Sequence, residues 1–206
     1  MNKIIVAGIG PGHRDYVLPA VYRAVENSDI LIGGKRNLEI FQDFTGETHP
    51  ITRDLEEVIS YIKDKRRDKK ITFVVSGDTG FYSMLTYLKR HFSKEDLEVI
   101  PGITSLQYLF SKMKEPWQEV PLMSLHGRQQ DFLEKLQTFK KVAMLTDNIY
   151  TPDRIAEILI KAGLKSTRMT VGENLSYRDE RIIEGRPQEI IGAAPYKMAV
   201  VVIQYE

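Results

Sequence analysis

The first half of the chain alternates short apolar runs with segments whose apolar residues recur at helical spacing. Continuous apolar runs predict buried strands, and amphipathic spacing predicts helices that pack on them. The predicted strands are 3–7, 29–32, 71–75 and 97–100. The predicted helices are 16–27, a segment around 55–62, 81–91 and one that begins at Thr104. Asp15 is the predicted N-cap of the first of these helices. This alternation is typical of a mostly parallel sheet flanked by helices on both faces.

The rhythm changes at Lys114-Glu115-Pro116, so two α/β domains are expected, residues 1–115 and 116–206. In the second half, the predicted strands are 122–125, 142–145, 169–174, 181–184 and 198–203, and the predicted helices are 131–136 and 152–162, the latter ended by Gly163. The closely spaced last strands predict an antiparallel or mixed sheet. The expected fold class is therefore α/β, with a mostly parallel N-terminal sheet and a mixed C-terminal sheet.

Composition narrows the range of functions. The 206 residues carry 29 Lys and Arg against 28 Asp and Glu, so no global field attracts nucleic acid or a membrane. The sequence has no cysteine, which excludes thiol nucleophiles and cysteine-ligated metals, and we expect no metal site. No 18-residue apolar run occurs, and the N-terminus reads as a strand rather than a signal peptide, so a cytoplasmic protein is expected.

A glycine-rich turn, Gly8-Ile9-Gly10-Pro11-Gly12, follows the first predicted strand. Glycines at a strand-to-helix turn let backbone approach a ligand, although such a turn also occurs without one. His13 stands where a dinucleotide fingerprint needs glycine, and Gly33-Gly34 stands where it needs an acid. These departures argue against a nicotinamide-dependent oxidoreductase, which stays an alternative.

Four further polar or glycine-bearing turns follow predicted strands: Ser76 to Ser83, Pro101 to Ser105, Leu145 to Asn148, and Gly172 to Leu175 with Tyr177 and Glu180 nearby. Asp78 could receive a hydroxyl or ammonium group, or simply cap the next helix. A sixth turn, Ser124 to Arg128, carries two bases, and Arg128 is suited to clamping a carboxylate. Each turn could be structural, but together they predict a ligand cleft between the domains.

The order of these motifs, from Lys3 nearly to the end of the chain, resembles the tetrapyrrole methylase family. The resemblance implies a two-domain homodimeric methyltransferase that uses S-adenosylmethionine and methylates a ring carbon of an anionic corrin precursor in cobalamin biosynthesis. Ser124 to Arg128 and Thr146 to Asn148 most resemble the branch acting on C5. Because the chain ends at Glu206, it resembles the stand-alone form, for which contact with a separate decarboxylating C15-methyltransferase is expected.

The resemblance also implies which residues make the site. The cofactor contacts carried over are Gly77, Asp78, Thr79, Phe81, Tyr82, Thr104, Ser105, Leu145, Thr146, Glu173, Asn174 and Leu175. The substrate contacts expected are Gly10, Pro11, Gly12, His13, Arg14 and Arg128, with Lys35 and Arg36 as further candidate cations. Asp78 and His126 are the candidate proton acceptors. Thr79 departs from the family, where proline commonly follows the Gly-Asp pair.

Three alternatives remain open. A related enzyme of the same fold could methylate another ring carbon, RNA ribose or a modified histidine on a translation factor; the balanced charge argues mildly against RNA. A nicotinamide oxidoreductase is less well supported. A non-catalytic binding or scaffolding protein could keep the same cleft.

Overall fold

The computed structural model of the protein describes residues 1–125 and 131–205. The chain forms two compact units, Met1–Thr104 and Ser105–Glu206. The division lies one helix ahead of the boundary that the sequence pattern indicates. Helix α5 (Ser105–Met113) belongs to the second unit, where Leu109 Cδ1 would lie only 3.0 Å from a Cβ placed on Gly172.

The first unit contains a five-stranded sheet in the order β3-β2-β4-β1-β5, in which every pairing is parallel. This confirms the parallel sheet predicted from the apolar runs. The elements are β1 (Ile4–Gly8), α1 (Pro19–Glu26), β2 (Ile30–Gly33), α2 (Lys35–Leu38), β3 (Glu47–Pro50), α3 (Leu55–Lys65), β4 (Ile71–Val75), α4 (Leu85–Leu88) and β5 (Leu97–Ile100), with short 3-10 helices at Arg14–Tyr16, Glu39–Phe41 and Lys94–Asp96.

Alternate strand residues of this sheet face two different hydrophobic cores. Val6 and Phe73 pack with Ile62 of α3 on one face, whereas Ala7 and Val74 belong to the cluster on the other face. The central strands β1, β2 and β4 are buried on both faces and need apolar residues at nearly every position, which is why they lack alternation in the sequence.

The second unit contains a mixed sheet in the order β6-β7-β10-β8-β9. Its elements after α5 are β6 (Leu122–Ser124), α6 (Phe132–Phe139), β7 (Lys141–Leu145), α7 (Pro152–Lys161), β8 (Arg168–Glu173), β9 (Arg181–Gly185), α8 (Pro187–Gly192) and β10 (Ala199–Gln204). Among the strands that the structure describes here, β6 and β7 pair in parallel, and the other three pairings are antiparallel. The predicted mixed sheet is thus confirmed.

Two local predictions are wrong. Asp15 lies in the short 3-10 helix and does not cap α1, which instead begins with Pro19 at its first turn. The helix predicted over 81–91 is reduced to Leu85–Leu88. It cannot begin at Phe81, because Tyr82 has a left-handed φ of 48° that a continuous helix cannot contain. In the part of the chain that the structure describes, no helix is long and apolar enough to cross a membrane.

Candidate functional site

The loops after β1, β4 and β5 meet at one edge of the first sheet. Their strands are neighbours in the order β4-β1-β5, so their carboxyl ends lie side by side. A Cβ on Gly8 would lie 2.7 Å from the Gly77 carbonyl oxygen, and a Cβ on Gly102 would lie 2.2 Å from the same oxygen. Glycine is required because backbone packs directly on backbone here.

Asp78 ties two of these loops together. Its Oδ1 accepts from the Gly80 backbone N–H at 2.8 Å, and its Oδ2 accepts from the Gly102 N–H at 2.9 Å. The carboxylate therefore holds the β4 loop against the β5 loop and does not cap a helix at Phe81. This geometry makes Asp78 a positioning group, and its role as a proton acceptor stays a prediction.

Gly77 opens a small cradle beside Thr104. Its φ is +69°, and a Cβ there would meet only the Thr104 Cα, at 3.7 Å. Thr79 and Thr104 are both buried. Phe81 and Tyr82 pack edge to face with ring centroids 4.8 Å apart, and Tyr82 is 40% exposed. The edge thus combines close backbone approach, buried hydroxyls and an accessible aromatic surface, which are features that fit a nucleoside.

The residues predicted to contact the substrate follow β1 at the same edge. Gly10 and Gly77 exchange backbone hydrogen bonds of 3.1 and 2.8 Å, which fixes the start of the loop. His13 and Arg14 are exposed, and the Tyr22 hydroxyl donates to the Arg14 carbonyl at 3.0 Å. The loop therefore presents its two bases to solvent.

Helix α2 places Lys35 and Arg36, both exposed, directly after β2. It is linked to the β4 loop because the Ser76 hydroxyl donates to Asn37 Oδ1 at 2.9 Å. The sequence pattern did not single out Asn37, and no motif marks it. The bases of α2 and of the β1 loop follow parallel strands, so all of them belong to the carboxyl edge of this sheet.

In the second unit, β6, β7 and β8 run in one direction and β10 runs between β7 and β8 in the other. The ends of β7 and β8 therefore lie beside the start of β10. The Thr146 hydroxyl donates to the Ala199 carbonyl at 2.6 Å, and the Asn174 N–H donates to the Met198 carbonyl at 2.9 Å. The structure thus brings the predicted Leu145-Thr146 and Glu173-Asn174 contacts to one edge.

Glu173 is buried, and both of its carboxylate oxygens are engaged. Oε2 accepts from Arg181 Nε at 2.6 Å, and Oε1 accepts from the Lys197 backbone N–H at 2.6 Å. Any contact of Glu173 with a ligand is therefore best made by its backbone. The side chain of Leu175 is also buried, and it lies over Gly172.

Three further predicted site residues are Ser105, His126 and Arg128. Ser105 is the first residue of α5. His126 and Arg128 lie outside the described residues. Among residues 1–125 and 131–205, no group of three or more His, Asp or Glu side chains could hold a metal ion.

The family model for tetrapyrrole (corrin/porphyrin) methylases matches residues 3–191. The cobalt-precorrin-7 C(5)-methyltransferase of Salmonella typhimurium is 39% identical over 200 residues, which cover 97% of this chain and 98% of that protein. A probable enzyme of the same name from Methanocaldococcus jannaschii is 35% identical over 186 residues, 87% of each chain.

Among solved structures, the uroporphyrin-III C-methyl transferase of Thermus thermophilus complexed with S-adenyl homocysteine superposes with a TM-score of 0.78. The alignment covers 98% of this chain and 97% of that chain at 18% sequence identity. This likeness shows that the two proteins share a fold.

Proposed function

Because the chain belongs to the tetrapyrrole (corrin/porphyrin) methylase family, we propose that it transfers a methyl group from S-adenosylmethionine to C5 of cobalt-precorrin-7 or precorrin-7 in cobalamin biosynthesis. The observation that carries the proposal is near full-length similarity to C5-methyltransferases of a bacterium and an archaeon. The site supports it, because the loop residues expected from the family resemblance lie at the carboxyl edge of the first sheet and at the carboxyl ends of β7 and β8 in the second.

S-adenosylmethionine, when bound, supplies a methyl group that is already activated by a positive sulfur. The protein then has to align the two reactants and exclude water, which is proximity and desolvation work. The Gly77 cradle, Thr104 and the turn at Asn174 would hold the methyl donor. Asp78 would act by fixing the loop around that cradle.

A corrin precursor carries many carboxylates, and fixed cations recognise such groups. The exposed bases at the edge of the first sheet, Arg14, Lys35 and Arg36, supply them, together with the sequence-predicted Arg128. Asp78 and His126 are the predicted acceptors of the proton that is released when the ring rearranges.

The decisive experiment is a mass measurement of the tetrapyrrole product, with fragmentation to locate the added methyl. We expect one added methyl on C5 when the purified protein is given S-adenosylmethionine and precorrin-7 or its cobalt complex. A methyl on another ring carbon, or transfer to RNA or protein but not to the tetrapyrrole, would contradict the proposal. An absence of transfer to all of these would favour a binding protein.

The same assay tests the cationic edge. We expect Arg14→Ala to raise the KM for the tetrapyrrole more than the KM for S-adenosylmethionine. Arg67→Ala is the matched control, because Arg67 is also exposed but precedes β4, at the amino edge of the sheet. Equal changes in both KM values for Arg14→Ala would remove its assigned role.

The homodimer, the cytoplasmic location and the contact with a decarboxylating C15-methyltransferase stay predictions from the family resemblance. Sedimentation equilibrium of the protein, alone and mixed with that enzyme, measures both associations.

A further inference from the structure

The turn that follows β8 is held in an unusual backbone conformation. Asn174 and Ser176 have φ values of +46° and +69°, in the left-handed region. Asparagine tolerates this region, but serine adopts it at a cost, and such residues persist only where the surrounding structure imposes them. The candidate cofactor contacts Glu173, Asn174 and Leu175 enter this turn, so whatever holds Ser176 also determines their arrangement.

Glu180 holds the strained residue. Its Oε2 accepts from the Ser176 backbone N–H at 2.6 Å, while its Oε1 lies 3.3 Å from Lys112 Nζ. Burial of Glu180 tends to raise its pKa, but the Ser176 N–H, the Tyr108 hydroxyl and Lys112 together lower it. The carboxylate is therefore kept charged, and a charged acceptor makes the stronger hydrogen bond.

The same carboxylate joins two candidate cofactor segments of the second unit. Tyr108 and Lys112 are residues of α5, whose first residue is the predicted contact Ser105. Lys112 Nζ also lies 5.0 Å from the centre of the Tyr108 ring, which fixes the ammonium group on this helix. Glu180 thus links the helix that begins at Ser105 to the turn that carries Asn174.

From this arrangement we infer that Glu180 is a positioning residue for the methyl donor: it holds the Asn174–Tyr177 turn in the form that binds S-adenosylmethionine. The inference rests on the proposed function. It requires no contact between Glu180 and either substrate, so its loss should change donor binding and leave tetrapyrrole binding unaltered.

The test measures the Kd of S-adenosylhomocysteine by titration calorimetry and the KM of each substrate. We expect Glu180→Ala to weaken S-adenosylhomocysteine binding by about tenfold, the scale of losing support for a strained residue. Glu180→Gln keeps an acceptor but loses the charge, so about threefold is expected. Glu184→Ala is the matched control, because it removes the β9 carboxylate of the exposed Arg168–Glu184 pair between β8 and β9 and should change nothing.

A second substitution separates positioning from general stability. Glycine adopts a φ of +69° freely, so Ser176→Gly combined with Glu180→Ala should recover most of the lost donor affinity. Glu180→Gln is measured in parallel, so the inference can be tested even if the alanine variant does not fold.

Two results would overturn the inference while leaving the proposed function intact: unchanged S-adenosylhomocysteine affinity in both Glu180 variants, or equal increases in both KM values. Failure of the unaltered protein to bind S-adenosylhomocysteine would instead overturn the proposed function itself.

Discussion

At the scale of single residues, close backbone packing between Gly8, Gly77 and Gly102 shapes the edge of the first sheet. No side chain could occupy the space between these loops, since even a methyl group on Gly102 would approach the Gly77 carbonyl oxygen to 2.2 Å. The neighbouring backbone cannot move aside without disturbing the Asp78 hydrogen bonds that join the same loops. Stability therefore depends on the same atoms that hold the candidate cofactor residues Gly77 and Asp78 in place.

Gly102→Ala should consequently destabilise the protein by about 1–3 kcal/mol and weaken S-adenosylhomocysteine binding. Urea unfolding and calorimetric titration measure the two effects. Gly192→Ala is the control, because a Cβ on Gly192 would meet no heavy atom within 4 Å and alanine favours the helix. If the two variants have equal free energies of unfolding, the loops can relax around a side chain.

The sequence could predict that glycines and Asp78 follow strands, because turns and their residues are local. It could not predict that Asp78 binds the Gly102 N–H, since that contact requires β4 and β5 to lie on either side of β1. It also could not predict that the Glu173 carboxylate is fully used by Arg181 and Lys197. Strand order depends on the whole sheet, so it cannot be inferred from the residues at these positions.

At the scale of elements, the buried strands β1, β2 and β4 were predictable because almost all of their residues are apolar. Strand β3 was missed because its residues, Glu-Thr-His-Pro, are mostly exposed at the sheet edge and carry no apolar pattern. Helix α8 was also missed, although Pro187 at its start and Glu189, whose carboxylate accepts from the Arg186 N–H at 2.7 Å, are recognisable signals of a helix start.

The Arg66–Asp96 pair joins several elements of the first unit. Arg66 is buried at the end of α3, where Nε donates to the Asn2 carbonyl at 3.2 Å and a terminal nitrogen donates to Asp96 at 2.5 Å. The hydrogen bond from Arg66, with a second from Ser93, lowers the pKa of Asp96 to about 2. A carboxylate whose pKa is lower in the folded than in the unfolded state stabilises the folded protein at neutral pH.

Asp96→Asn should therefore lower the Tm at pH 7. Because the folded pKa lies below the unfolded value of 3.8, the stabilisation is present above about pH 4 and is lost as the pH falls towards 2. The Tm difference between variant and unaltered protein should shrink over that range, which thermal unfolding at a series of pH values measures. Asp64→Asn, at an exposed position on α3, should leave the Tm unchanged, and a pH-independent difference for Asp96→Asn would contradict the assignment.

At the scale of the whole molecule, two units with separate hydrophobic cores each present candidate cofactor residues at one sheet edge. The near-zero net charge gives no long-range attraction for an anionic substrate, so recognition has to come from local bases. The family resemblance predicts that both units contact the same methyl donor, and this prediction can be tested through stability.

A ligand stabilises whichever folded unit it binds by mass action, by about 2.7 kcal/mol at a concentration of 100 Kd. That corresponds to a rise in Tm of about 5–10 °C when the whole chain unfolds in one transition, and to a larger rise when a single unit unfolds by itself. In differential scanning calorimetry, S-adenosylhomocysteine should raise the midpoint of every transition, because the family resemblance predicts contacts with loops of both units, whereas NAD should raise none. A lower transition that stays in place would confine binding to one unit, and a shift with NAD would favour the nicotinamide enzyme that the sequence of the first loop argues against.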